Sequence, residues 1–105
     1  MRFGLKEQII DEIRRVLAEK PGVSRAVIFG SRARGDYKYN SDIDLAVYCE
    51  GKMPPGLRLD LDEAAGIYKI DVVDMNGPVE EKLRQRIEEQ GVEIYRADAG
   101  TVLLS

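Results

Sequence analysis

Two apolar periodicities alternate along this chain of 105 residues, and the alternation limits which folds the chain can adopt. Over residues 5–17 apolar side chains recur every three or four positions, which is the spacing of one helix face. Over residues 42–48 they alternate in steps of two, which places Ile43, Leu45 and Val47 on one face of a β-strand. A chain that carries both patterns is expected to pack helices against a sheet.

Turn residues divide the rest of the chain into segments of similar length. Pro21-Gly22 ends the first helix, Gly66 ends a second, and Gly91 ends a third that starts at Pro78. We predict helices at 5–20, 57–65 and 78–90, strands at 25–29, 42–48, 69–75 and 92–95, and a polar loop at 30–41.

The predicted order of elements indicates an α/β (α+β) fold, in which a small mixed sheet is flanked by helices. The length fits one domain, residues 1–105, because domains cluster at about 100–150 residues. The apolar tail at 98–105 is predicted either to fray or to dock on a partner chain.

The residue types that are missing exclude several kinds of chemistry. The chain has no histidine, which excludes Ser-His-Asp and Cys-His catalysis as well as zinc bound by histidine. The single Cys49 cannot form an internal disulfide or a four-cysteine metal site, and it is predicted to be a small buried apolar residue. Chemistry must therefore come from carboxylates, cationic side chains, hydroxyls, backbone amides and a bound metal ion.

Charge and hydropathy indicate which partners to expect. Sixteen basic and 19 acidic side chains give a net charge of −3, which argues against direct binding to nucleic acid. No stretch approaches the roughly 20 apolar residues of a membrane span, and no targeting segment is evident, so a cytoplasmic protein is expected.

A Gly-Ser turn follows the strand predicted at 25–29. Gly30 has no Cβ, so the backbone N–H groups of the turn can approach an anion closely. The Ser31 hydroxyl can add a hydrogen bond. The glycine spacing is neither that of a Walker A loop nor that of the dinucleotide-binding fingerprint. By itself the turn is weak evidence for phosphate binding.

Two carboxylates lie on one face of the strand predicted at 42–48. Asp42 and Asp44 are two residues apart, so their Cα atoms are about 6.5–7 Å apart on the same side. Such a pair can bind Mg²⁺ and leave the remaining coordination positions to substrate phosphates. The alternative is that both side chains only make one face of an edge strand polar.

A third carboxylate belongs to the strand predicted at 69–75. Asp71 completes a triad if this strand lies beside that of Asp44, whereas Asp74 sits near the strand end and is also explained as a turn residue. The register of the two strands decides between them, and the sequence does not determine that register.

Together these features resemble a known signature. Residues 30–47, GSRARGDYKYNSDIDLAV, carry Gly-Ser, ten residues and Asp-x-Asp, as in the DNA polymerase β-type nucleotidyltransferase superfamily. The chain is most similar to the minimal nucleotidyltransferases (MNT), the small members of that superfamily. Larger relatives carry an extra helical domain for the acceptor, and this chain ends soon after the core sheet.

The resemblance implies an activity and a set of residue roles. Members transfer a nucleoside monophosphate, usually AMP from ATP, to a hydroxyl and release pyrophosphate. The resemblance assigns the triphosphate to Gly30 and Ser31, and Mg²⁺ and catalysis to the carboxylates Asp42, Asp44 and Asp71. Arg34, and Arg32 as a second candidate, would neutralise phosphate oxygens.

The resemblance also implies a partner, since minimal members commonly pair with helical HEPN proteins as antitoxins. The implied reaction is transfer of AMP to a tyrosine of a HEPN toxin, within a hetero-oligomer. Two alternatives stay open. One is a binding subunit that neutralises its partner by occlusion without chemistry, and the other is an antibiotic-type nucleotidyltransferase whose acceptor site lies between two copies of the chain.

Overall fold

The computed structural model describes residues 2–97. In that range helices and strands alternate almost as the sequence predicts. The elements in chain order are α1 (Glu7–Glu19), β1 (Val23–Phe29), α2 (Ser31–Arg34), β2 (Ile43–Cys49), α3 (Leu57–Ala64), β3 (Ile70–Asp74), α4 (Glu81–Gln90) and β4 (Val92–Arg96).

The four strands in the described range form one mixed sheet in the order β3-β2-β1-β4. β1 lies between β2 and β4 and runs antiparallel to both. β2 and β3 are parallel, and α3 lies in the connection between them, as parallel neighbours require a crossover. The predicted mixed sheet with flanking helices is thereby confirmed.

The alternation in β2 divides the core between the two faces of the sheet. Ile43, Leu45 and Val47 are fully buried in a cluster with residues of α1 and α3. Ala46 lies on the opposite face, in a smaller cluster with Ile87 of α4. Each buried Leu or Ile contributes roughly 1.5–3 kcal/mol, so both faces stabilise the sheet. Asp44 of β2 lies on the same face as Ala46, as the alternation predicts, and Asp42 lies just before the strand.

Several boundaries differ from the prediction, chiefly that of the last helix. α4 begins at Glu81 rather than at Pro78, because Glu80 is still extended, with φ −58° and ψ 138°. Val79 packs against the smaller core cluster before the helix starts. β1 begins two residues earlier than predicted, at Val23, and α1 begins at Glu7.

Two further predictions concern the parts of the chain outside the sheet. The tail at 98–105 lies outside the described residues, and the prediction of one domain over 1–105 includes it. Within residues 2–97, no helix is both long enough and apolar enough to cross a membrane. The cytoplasmic location stays a prediction.

Candidate active site

The predicted polar loop 30–41 contains a helical turn, which corrects the prediction of an irregular segment. The Gly30 carbonyl accepts the N–H groups of Ala33 at 3.1 Å and Arg34 at 3.0 Å, and α2 follows. Gly35 ends the turn in the left-handed region, with φ 96°. Two glycines therefore bracket a single turn of helix that polarity alone does not reveal.

Gly30 packs directly against the carboxylate of Asp44. Its backbone has φ 75° and ψ −154°, a conformation essentially restricted to glycine. A Cβ at this position would lie 2.3 Å from Oδ2 of Asp44. The preceding residue, Phe29, is the register partner of Asp44 across β1 and β2. The sheet thus places the Gly30-Ser31 turn beside the second carboxylate of the Asp-x-Asp pair.

The register of β2 and β3 distinguishes the two candidates for the third carboxylate. Asp71 is the direct partner of Asp44 in the parallel pairing, whereas Asp74 pairs with Val47 farther along the strand. Asp74 uses its Oδ1 to accept the N–H of Asn76 at 2.9 Å, which stabilises the following turn. Asp71 is therefore the carboxylate that the fold brings to Asp44.

The electrostatics of Asp44 reflect this arrangement. Burial raises the pKa of its carboxyl group most, and the neighbouring charges of Asp71 and Asp42 raise it further. The Arg34 guanidinium acts in the opposite direction and lowers the pKa. Asp44 is thus a half-buried carboxylate that feels two like charges and one cation.

Arg34 remains available at the surface, as a phosphate-binding side chain must be. Its Nε lies 3.3 Å from Oδ2 of Asp36, and Nη1 donates to Oε1 of Gln90 at 3.4 Å. Its side chain is about 40% exposed, and exposed ion pairs of this kind contribute little to stability. The guanidinium can therefore exchange these contacts for those of a phosphate.

Arg32 is buried, so the hypothesis that it neutralises phosphate is wrong. It is only 2% exposed, and its guanidinium donates to the carbonyls of Ser41 and Phe3. The rings of Tyr37 and Tyr68 also lie close to it, with centroids 5.3 and 5.0 Å from Cζ. In the sequence, Arg32 and Arg34 are two cations of the same polar loop. The helical turn α2 buries the side chain of Arg32 and leaves that of Arg34 at the surface.

Two hollows open on the surface next to the outer carboxylates. One, of about 480 Å³, lies between α3 and β3 and is lined by Asp71 together with Arg58 and Leu59. The other, of about 310 Å³, is lined by Asp42 with residues that include Tyr39 and Ile67. Within residues 2–97, no group of three acidic or cysteine side chains is arranged to hold a metal ion by itself.

The mixed sheet with a Gly-Ser turn beside paired carboxylates defines a nucleotidyltransferase. The family model for polymerase beta nucleotidyltransferases matches residues 11–100, and the chain belongs to that family. The resemblance seen in the sequence is thereby confirmed, and the chain is a nucleotidyltransferase enzyme.

Individual relatives are similar to the chain over most of its length, and their names are more specific than that of the family. The chain is 38% identical over 92 residues to the candidate protein adenylyltransferase MJ0435 of Methanocaldococcus jannaschii, covering 81% of this chain and 97% of that protein. It resembles a toxin–antitoxin crystallised with AMP-PNP, with a TM-score of 0.70 and 26% identity over 85% of this chain and 74% of the other. A candidate minimal nucleotidyltransferase gives a TM-score of 0.68 at 26% identity, over 88% and 95% of the two chains.

Proposed function

We propose that the chain transfers AMP from ATP to a hydroxyl group of a partner protein and acts as the antitoxin of a toxin–antitoxin pair. The observation that carries the proposal is the position of Asp44, which lies between Gly30 on one side and Asp71 on the other. The relative named as a protein adenylyltransferase and the similarity to a toxin–antitoxin with AMP-PNP support a protein acceptor. The resemblance to MNT proteins supports a tyrosine of a HEPN-type helical partner.

The carboxylates at this end of the sheet are the kind of ligand that a hard divalent cation takes, and substrate phosphates would supply the ligands that residues 2–97 alone do not bring together. Asp44 is held beside two like charges that raise its pKa, and a cation between them would relieve that repulsion. Mg²⁺ commonly binds one or two carboxylates and takes its remaining ligands from water and substrate phosphates. We assign Mg²⁺ to Asp42, Asp44 and Asp71; when bound, it would neutralise charge on the phosphates during transfer.

The order of strands supports one direction of the reaction across the sheet, from β3 to β1. Gly30, Ser31 and Arg34 lie on the β1 side of Asp44, and we assign them to the triphosphate. Asp71 lies on the β3 side, and we assign it to the acceptor hydroxyl. The hydroxyl oxygen attacks the α-phosphorus and its proton passes to the carboxylate of Asp71. The bond from the α-phosphorus to the bridging oxygen breaks, and pyrophosphate leaves in line, towards β1.

An in-line displacement requires the acceptor to approach from the side opposite to the leaving group. That side is the β3 edge of the sheet, where the hollow beside Asp71 opens to solvent. Leu59 in the rim of this hollow is 62% exposed, which is unusual for a leucine and suits contact with another protein. We therefore place the acceptor protein against β3 and α3.

Intact mass spectrometry tests the proposal. The protein is mixed with Mg²⁺, ATP and the helical protein encoded next to it, and pyrophosphate release is measured in the same mixture. We expect the partner to gain the mass of one or more AMP groups, and Asp44→Asn to abolish the gain. A stable complex without any gain would instead support the occluding subunit. Pyrophosphate release with a small hydroxyl compound alone would support the antibiotic-type enzyme.

A further inference from the structure

We propose that Arg32 is a positioning residue, whose buried guanidinium fixes the backbone on the N-terminal side of Asp42 and so aims the Asp42 carboxylate at Asp44. The inference rests on the proposed function only in the role given to Asp42 as a metal ligand. It concerns a side chain that takes no part in phosphate binding.

The contacts of Arg32 converge on the residue that precedes Asp42. The Ser41 carbonyl accepts two hydrogen bonds from one guanidinium, from Nη2 at 2.7 Å and from Nε at 3.1 Å. Among the residues that the structure describes, Arg32 is the only charged side chain that is buried. Burial of a charge is unfavourable unless its donors are satisfied, so the geometry of these bonds is strongly enforced.

Both peptide groups that flank Asp42 are held. The Ser41 carbonyl belongs to the peptide before Asp42 and is fixed by Arg32. The Ile43 N–H belongs to the peptide after Asp42 and donates to the Lys69 carbonyl at 2.8 Å. A residue whose two neighbouring peptide planes are fixed has little freedom left in φ and ψ. The direction of its Cα–Cβ bond is then also set, although Asp42 lies just outside β2.

The rest of the Arg32 environment orients the guanidinium itself. Nη1 donates to the Phe3 carbonyl at 2.9 Å, which ties the plane to the N-terminal segment. Tyr37 and Tyr68 place their rings near the cation. The guanidinium presents five donors in a fixed planar fork, a geometry that the compact lysine ammonium with its three donors does not reproduce.

Nuclear magnetic resonance of the unmodified protein tests the positioning without any variant or ligand. We expect the backbone amide of Asp42 to have an order parameter near 0.85, as in a rigid strand, although it follows an exposed polar loop. An order parameter below about 0.6 for Asp42 would show that its backbone is not held, and would overturn the inference.

Variants then separate positioning from general stability, with Mn²⁺ titration as the readout. Arg32→Lys keeps the charge and removes the fork, and we expect it to raise the Kd for Mn²⁺ about tenfold, as the loss of an outer-shell partner does. Tyr37→Leu is the matched control, because it removes a ring from the same guanidinium and leaves the bonds to Ser41 intact. We expect its Tm to fall while its Kd stays within about twofold.

The transferase assay adds a second signature. At a temperature well below the Tm of both variants, raising the Mn²⁺ concentration should restore kcat in Arg32→Lys, whereas Tyr37→Leu, with an unchanged metal affinity, should already be saturated and gain nothing. An equal rise of the Mn²⁺ Kd in Tyr37→Leu and Arg32→Lys would overturn the inference. Asp42→Asn distinguishes a failure of the proposed metal site from a failure of the positioning role. If Asp42→Asn binds Mn²⁺ normally, the proposed metal site is wrong; if it loses Mn²⁺ while Arg32→Lys does not, only the positioning role is wrong.

Discussion

The surroundings of Asp44 disfavour the charged form of its carboxyl group. Because burial and two neighbouring carboxylates raise its pKa above the ordinary 3.8, the folded protein binds this proton more tightly than the unfolded chain does. The contribution of Asp44 to stability therefore falls as the pH rises from the unfolded pKa through the folded one. Above that window the loss is complete and constant. A carboxylate at this position therefore reduces the stability of the metal-free protein above that window.

Asp44→Asn should stabilise the metal-free protein at pH 7 and abolish AMP transfer. The amide cannot ionise, so it escapes the repulsion from Asp42 and Asp71. For a half-exposed group we expect a gain of only about 0.5 kcal/mol, or roughly 2–4 °C in Tm. Thermal unfolding at pH 3 and pH 7 checks the sign, since the difference from the unmodified protein should appear only at the higher pH. A variant that is less stable than the unmodified protein at pH 7 would contradict this account.

Gly30→Ala should lower both the stability of the protein and AMP transfer, and backbone strain alone would explain only the first. The substitution places a Cβ within 2.3 Å of Oδ2 of Asp44 in a conformation reserved for glycine. We expect a loss of about 1–3 kcal/mol in the free energy of unfolding, and loss of transfer because the carboxylate must move. Both are measured by denaturant unfolding and by the mass-spectrometric assay.

Gly35→Ala is the matched control for this substitution. Gly35 also has a positive φ, of 96°, but a Cβ there would meet nothing within 4 Å. We expect a comparable strain of about 1 kcal/mol with transfer retained. If both variants lose transfer equally, the contact between Gly30 and Asp44 is not what matters.

The pairing of β2 with β3 is the element on which the site depends. A parallel register places Asp71 directly beside Asp44, and a shift by one residue would turn Asp71 to the opposite face. Since β3 is an edge strand in the described sheet, its inner pairing with β2 is what holds that register. The crossover through α3 makes the pairing possible.

Asp71→Asn and Asp74→Asn should therefore behave differently, although the residues are three apart on one strand. We expect Asp71→Asn to lower kcat by about 10²-fold or more, because it loses the group assigned to the acceptor proton. Asp74→Asn should stay within about tenfold, since an amide oxygen can still accept the Asn76 N–H. Steady-state pyrophosphate release measures both. Equal losses would mean that the strand register does not select the third carboxylate.

At the scale of the whole molecule, metal and nucleotide should act as one stabilising ligand. At a hundred times its Kd, Mg²⁺ with AMP-PNP should add about 2.7 kcal/mol to the free energy of unfolding, which for this size is roughly 10–20 °C in Tm. Removal of the metal with EDTA should reverse most of the shift. Differential scanning fluorimetry checks it, with Asp44→Asn as the control that should show a much smaller shift.

Much of the fold follows from local sequence patterns. The alternation in β2 predicts which side chains enter the main core, and Leu45 and Val47 are fully buried as expected. Gly35 and Pro78 show where local patterns fail. The first ends a helical turn within a polar loop, and the second lies three positions before the first residue of its helix. In both cases the glycine or proline indicates that a helix end is near, and the packing of the folded chain decides at which residue the helix begins or ends.

The sequence by itself predicted the class of fold, the kind of chemistry and four of the six proposed site residues, because the Gly-Ser turn and the Asp-x-Asp pair are short-range patterns. Only the tertiary structure decided between Asp71 and Asp74, since strand register is a property of two segments far apart in the chain. It also decided between Arg32 and Arg34. One turn of helix buries the first under the loop and leaves the second at the surface, where its charge lowers the pKa of Asp44, and no spacing in the sequence indicates that difference.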